Sequence, residues 1–203
     1  MGKIDVNKKE KTKALFSTAF QLFTNKGFAK TTISDIVNEA GLAKGTFYLY
    51  FKDKYDLRDK LIIHKTSQLF DDAREAISHV EIEGFDDKLI WIVDYMISRL
   101  RNDTTLLSFI AKNLSWGVFQ VAFEKTMPDE SKQFYQYYME EMEQAQVACR
   151  QPELMLFTII ELVGSTCYSC ILYRQPVTID EYLPYLHQSI RQIIRAYTEL
   201  TAA

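Results

Sequence analysis

Apolar residues recur with the period of an α-helix along most of this 203-residue chain, and this periodicity constrains the fold more than any other feature. Apolar side chains three and four positions apart form one face of a helix. No turn-bounded pair of strand-like segments interrupts the pattern. We therefore predict an all-α protein with helices over residues 8–26, 32–40, 44–51, 54–79, 87–101, 104–114, 116–126, 130–149, 153–173 and 179–199.

Local signals predict where several of these helices begin and end. Gly27 is expected to adopt a left-handed conformation after the first helix, with Phe28 packing back on Phe23. Thr32 and Asp35 have the spacing of a capping box at the start of the second helix. Further signals are Gly41 at the end of that helix, Asp53 and Asp56 at the start of the fourth, and Thr178 and Glu181 at the start of the last.

The charge is distributed unevenly along the chain. Residues 1–65 carry 13 basic and 7 acidic side chains, so their net charge is about +6, whereas the whole chain has a net charge of −3. A basic N-terminal third joined to an acidic remainder is typical of a protein whose first part meets a polyanion. A solvated charged surface would give the same numbers, so charge alone leaves both interpretations open.

The run FYLYF at residues 47–51 alternates like a strand but lies between helical segments. If residues 44–51 are helical, Phe47 and Phe51 lie one turn apart and face inward, while Gly45 and Leu49 point outward. Gly45 would let the helix approach a duplex closely, and Leu49 would contact a thymine methyl group. Hydrogen bonds to phosphates or base edges are expected from Lys44, Thr46, Tyr48 and Tyr50.

The stretch TTISDIVNEAGLAKGTFYLYFKDKYDL, with the preceding AFQLFTNKGFAKTT, resembles the DNA-binding signature of the TetR family of bacterial transcriptional regulators. The resemblance covers roughly residues 10–60. It implies an N-terminal three-helix helix-turn-helix domain (1–53), joined by a long helix to a C-terminal effector-binding and dimerisation domain (54–203). The implied function is a homodimeric repressor that binds a palindromic DNA operator and is released by a small-molecule effector.

The same resemblance implies which residues contact DNA. Lys54 would contact phosphate, whereas Ala43 departs from the family pattern because many members have Ser or Thr there to cap the recognition helix. The implied recognition-helix contacts are Lys44, Thr46, Tyr48, Leu49 and Tyr50. Implied contacts near phosphate at the start of the second helix are Thr31, Thr32 and Ser34.

The resemblance assigns the last two helices to dimerisation, and their large apolar surface supports this assignment independently. The expected interface residues are Phe157, Ile160, Gly164, Ile171, Leu186, Ile190, Ile193 and Ile194. Residues 154–173 are apolar enough to be weighed as a membrane span, but a central Glu161 makes a helix buried on both sides the better interpretation.

An effector pocket is expected among helices five to eight, where aromatic residues are frequent. Aromatic side chains line ligand sites but also fill helical cores, and we expect most of them to be core residues. The candidate effector-binding residues are Trp91, Tyr95, Phe109, Trp116, Tyr137, Glu161 and Tyr168.

Enzymatic motifs are not found in the sequence, and Cys149, Cys167 and Cys170 lack the spacing of a metal site. We therefore expect neither catalysis nor a cofactor or metal, only an unidentified small-molecule effector. The absence of an apolar signal segment predicts a cytoplasmic protein without a membrane partner. Two alternatives stay open: a DNA-binding factor of the same fold that has no effector, and an activator.

Overall fold

The computed structural model describes residues 3–111 and 129–199. Within these ranges the chain is helical and contains no strand, as the periodicity predicts. The helices are α1 (Lys3–Asn25), α2 (Ile33–Glu39), α3 (Lys44–Tyr48), α4 (Lys54–Ile77), α5 (Phe85–Asn102), α6 (Thr104–Ala111), α7 (Asp129–Gln144), α8 (Pro152–Leu172) and α9 (Ile179–Glu199). The helix predicted over residues 116–126 lies outside the described residues.

The chain forms two compact units, Met1–Ile63 and His64–Ala203. The division falls within α4, because the first turns of that helix pack with the N-terminal helices. The predicted domain boundary after residue 53 coincides with the beginning of α4 at Lys54. That the two functional domains divide there stays a prediction.

The N-terminal unit is built around the apolar faces of α1 and α2. Gly27 has φ +86°, and the Phe23 and Phe28 rings meet edge to face at 5.1 Å, so the predicted exit from α1 is confirmed. The predicted capping box at α2 is also confirmed, because Asp35 N–H donates to Thr32 Oγ1 (3.1 Å) and Thr32 N–H donates to Asp35 Oδ2 (2.9 Å). The buried residues include Leu15, Ala19, Ile36, Val37, Phe47, Phe51, Leu57 and Leu61.

The C-terminal unit has a core in which α5, α7, α8 and α9 pack together. Leu186 and Ile190 on α9 are fully buried in this core, and Ile194 is 8 % exposed. These three residues therefore fill the core of the C-terminal unit, and their predicted place in a dimer interface is corrected. The apolar stripe of α9 indicates that this helix packs against another apolar surface, but not which one. Helices α5 and α8 of the same chain provide that surface.

Helix α8 is long and apolar enough to cross a membrane by length and composition alone. In the structure Met155, Ile159 and Cys170 are buried in the core of the C-terminal unit. Leu154 is 47 % exposed and Gly164 is exposed as well. One face of this helix therefore packs inward while part of the opposite face is exposed in the single chain, and burial of the helix on both sides stays a prediction.

Candidate nucleic-acid interface

The turn between α2 and α3 sets the direction in which α3 leaves α2. Gly41 N–H donates to the carbonyl oxygen of Asn38 (3.2 Å), and Leu42 N–H donates to that of Val37 (2.8 Å). This pair of bonds is a Schellman motif, and it places Gly41 at φ +66°, a conformation in which a Cβ would be strained. The backbone of the turn therefore favours glycine at position 41.

Helix α3 begins without a side-chain cap. Ala43 occupies the N-cap position with extended backbone and forms no capping hydrogen bond, as its departure from the Ser or Thr pattern implied. The helix ends at Tyr48, three residues earlier than predicted. Even so, Phe51 N–H donates to the Phe47 carbonyl oxygen at 3.0 Å, so one further helical hydrogen bond continues through the aromatic run.

The aromatic run presents two opposite faces, as predicted. Phe47 and Phe51 are 0 % and 3 % exposed, their ring centroids lie 5.5 Å apart, and Phe51 also meets Phe16 of α1 at 5.5 Å. On the other face Tyr48 is 54 % exposed and Leu49 is 78 % exposed. The phenylalanines thus anchor α3 while the neighbouring side chains reach solvent.

The remaining predicted contacts on α3 differ in exposure. Lys44 and Gly45 are exposed, whereas Thr46 and Tyr50 are partly buried. A Cβ added at Gly45 would meet no atom within 4 Å, and the backbone there is not left-handed. The fold of the N-terminal unit therefore does not explain why this position is a glycine.

Thr32 and Ser34 at the beginning of α2 are exposed, but Thr31 is not. Thr31 is fully buried, and its hydroxyl donates to the carbonyl oxygen of Gly27 at 2.9 Å. The prediction that Thr31 lies near phosphate is therefore wrong, because its hydroxyl closes the turn between α1 and α2.

Lys54 lies against the same turn. Its Nζ donates to the carbonyl oxygens of Phe28 and Thr31, both at 2.8 Å, and lies 4.4 Å from the centroid of the Phe28 ring. An ammonium group has three donors, so two of them are used within the protein. This contact joins residues more than twenty positions apart, and sequence reasoning missed it because no local pattern indicates it.

The predicted effector residues do not converge on one site. A cavity of about 110 Å³ lies between α4, α5, α6 and α8, and of the seven candidates only Tyr168 belongs to its described wall. Trp91 and Tyr95 stack at 5.5 Å and pack, with Tyr137, in a cluster around Ile92, which itself lines the cavity. Neither Glu161 nor the buried Phe109 is among the lining residues, and Trp116 lies outside the described residues.

Helix α2, the Gly41 turn and the outward face of α3 define a helix-turn-helix protein of the DNA-binding class. Residues 15–61 match the family model described as bacterial regulatory proteins of the tetR family. Residues 15–61 therefore form a DNA-binding domain of the TetR family of bacterial transcriptional regulators, as the resemblance implied.

Several curated proteins of Bacillus subtilis (strain 168) are similar to parts of the chain. The uncharacterized regulator YerO is 51 % identical over 45 residues, which are 22 % of this chain and 16 % of YerO. The fatty acid metabolism regulator protein is 30 % identical over 99 residues, which are 49 % of this chain and 50 % of that protein. The chain thus matches at most half the length of these two relatives.

Solved structures extend the similarity of fold to nearly the full chain. A TetR-family transcriptional regulator from Syntrophomonas wolfei has a TM-score of 0.64 at 21 % identity, covering 92 % of this chain and 96 % of that one. The transcriptional regulator FadR from Bacillus subtilis, solved in complex with stearoyl-CoA, has a TM-score of 0.56 at 18 % identity and covers 87 % and 96 % of the two chains. These similarities establish the fold, an N-terminal helix-turn-helix domain followed by a helical C-terminal domain.

Proposed function

We propose that this regulator is a cytoplasmic homodimeric repressor that binds an inverted-repeat operator and is released from it by a small molecule. The observation that carries the proposal is the division of α3 into an anchored face and an exposed face. Because Phe47 and Phe51 are buried, Tyr48 and Leu49 stand on a helix whose orientation is fixed by the core.

Each exposed residue of the motif has a chemical role in this proposal. Gly45 admits the duplex close to the backbone of α3, Leu49 contacts a thymine methyl group, and Tyr48 donates to a base edge or phosphate. Lys44 adds a phosphate contact at the beginning of α3. Further contacts are assigned to Thr46 and Tyr50 on α3 and to Thr32 and Ser34 at the beginning of α2.

A twofold dimer follows from the proposed operator, because two half-sites of an inverted repeat require two copies of α3 related by the same symmetry. We assign the interface to α8 and α9, where an apolar surface remains after the core has formed. The proposed interface residues are the partly buried Phe157, Ile160, Ile171 and Ile193 and the exposed Gly164.

The effector is assigned to the cavity between α4, α5, α6 and α8, defined above and called the C-terminal cavity from here on. Its wall is almost entirely aliphatic, which suits the hydrocarbon part of a ligand. The similar fold of FadR, described in complex with stearoyl-CoA, supports a ligand with an apolar chain. Release would occur because the ligand binds more tightly to a form in which α4 has shifted.

Selection of bound duplexes from a random DNA pool, repeated at two salt concentrations, tests the DNA-binding part. We expect an enriched inverted repeat whose binding weakens with salt and is lost in Tyr48→Ala. Val80→Ala is the control, because Val80 is 44 % exposed between α4 and α5, on neither α3 nor the helices assigned to the dimer interface, and should not affect binding. Enrichment of no sequence, or equal loss in both variants, would refute the assignment of α3 as the reading helix.

A further inference from the structure

The C-terminal cavity has a wall without a charged side chain in the part of the chain that the structure describes. Its polar groups are the hydroxyls of Thr66 and Tyr168 and the thiol of Cys167. Burial raises the pKa of the Cys167 thiol to about 12, so the thiol is neutral near pH 7. The Tyr168 hydroxyl lies 3.4 Å from that of Tyr173. The described part of the wall therefore contains no group that could neutralise an ionised ligand.

Thr66 differs from other threonines on the helices of this protein. Its Oγ1 is buried and has no hydrogen-bond partner among the described residues. Four other helical threonines each donate to the carbonyl oxygen four residues earlier, at 2.5–3.0 Å. The pairs are Thr24 with Phe20, Thr158 with Leu154, Thr166 with Leu162, and Thr198 with Ile194. Thr66, which lines the cavity, lacks the intrahelical bond that these four threonines form.

A buried hydroxyl without a partner is unfavourable, and a ligand atom that accepts or donates a hydrogen bond would remove that penalty. Threonine in a helix adopts two side-chain rotamers, so a rotation about Cα–Cβ can exchange the hydroxyl with the methyl group. Because Thr66 belongs to the cavity wall, this rotation provides a way to present the hydroxyl to a bound molecule.

We propose that the C-terminal cavity binds an uncharged hydrocarbon group carrying one hydroxyl or carbonyl oxygen, and that Thr66 is the residue that selects this oxygen. The inference rests on the part of the proposed function that assigns an effector to this cavity. If the same ligand also has a charged end, that end must lie outside the described wall, because no side chain of this wall could neutralise its charge.

The test uses the full chain and the neutral fluorescent probe N-phenyl-1-naphthylamine, which is displaced by 1-octanol or by octanoate at pH 7.5. We expect octanol to bind at least tenfold more tightly than octanoate. Thr66→Val should weaken octanol binding roughly tenfold while affinity for the probe stays within twofold, and Thr66→Ser should restore octanol binding. The matched control is Thr166→Val, which removes a hydroxyl already bonded within α8 and should leave octanol binding within twofold.

Equal affinity of octanol for the wild type and Thr66→Val would overturn the role of Thr66, and octanoate binding as tightly as octanol would overturn the assignment of an uncharged ligand. No binding of the probe would overturn the site itself. The same samples are tested for operator binding. Octanol binding without any enriched operator would refute the proposed function while leaving the cavity assignment intact, so the two failures are distinguishable.

Discussion

Replacement of Lys54 by methionine separates a structural lysine from a phosphate-binding one. The substitution keeps a long side chain but removes the two hydrogen bonds from Nζ to the carbonyl oxygens of Phe28 and Thr31. A hydrogen bond from a charged group contributes about 1.5–3 kcal/mol, and partial exposure of the lysine reduces this value. We therefore expect the free energy of unfolding to fall by about 2–4 kcal/mol.

Urea denaturation measures that loss, and operator binding at several salt concentrations measures the number of phosphate contacts. Each phosphate contact contributes about 0.9 to the slope of log affinity against log salt concentration. Lys54→Met should leave this slope unchanged, whereas Lys44→Met, on the exposed first residue of α3, should lower it by about one and leave stability unchanged. A lower slope with unchanged stability in Lys54→Met would refute the structural role derived from the two carbonyl contacts.

Further predictions concern the helix-turn-helix. Gly45→Ala should stabilise the fold by about 0.5–1 kcal/mol, since its Cβ meets nothing, while operator affinity falls; unchanged affinity would remove the reason given for this glycine. Gly41→Ala should cost about 1 kcal/mol in urea denaturation because of its positive φ, and no loss would contradict the left-handed assignment. Hydrogen bonds from Lys26 and Thr32 lower the pKa of Asp35 from 3.8 to about 2, so its stabilisation is complete above about pH 5 and is lost as the pH falls towards 2. Acid denaturation of Asp35→Asn should lack this pH dependence, and the same dependence in the wild type and the variant would contradict the assignment. Replacing the operator thymine that contacts Leu49 by uracil removes one methyl group and should weaken wild-type binding three- to fivefold. The same replacement should not change the affinity of Leu49→Ala for the operator. Equal effects on both proteins would exclude the methyl contact.

The beginnings of α2 and α9 could be predicted from the sequence because their capping is local. Thr32 with Asp35, and Thr178 with Glu181, form their hydrogen bonds over three residues. The end of α7 could not be predicted in the same way. Gln146 adopts φ +55° there, so the helix ends at Gln144 rather than near residue 149, and a glutamine gives no signal of a left-handed turn.

Periodicity predicted which faces are apolar, but it could not identify what covers them. Leu186 and Ile190 on α9 were expected to meet a second subunit, yet they are fully buried in the core of their own. The same limit applies to the site residues. The outward direction of Leu49 follows from helical geometry, whereas the burial of Thr31 and the contacts of Lys54 depend on residues distant in sequence, which a local pattern does not contain.

The alternation of buried and exposed residues within the aromatic run has a consequence for how this regulator can change over evolution. Phe47 and Phe51 hold the helix, whereas the side chains of Tyr48 and Leu49 are exposed for more than half of their surface. Leu49 caps α3 through its backbone N–H, which a substitution of the side chain retains, and substitutions of exposed side chains usually change stability by no more than about 0.5 kcal/mol. Descendants of this protein could therefore acquire new target sequences by substitutions at Tyr48 and Leu49 without first acquiring compensating mutations elsewhere.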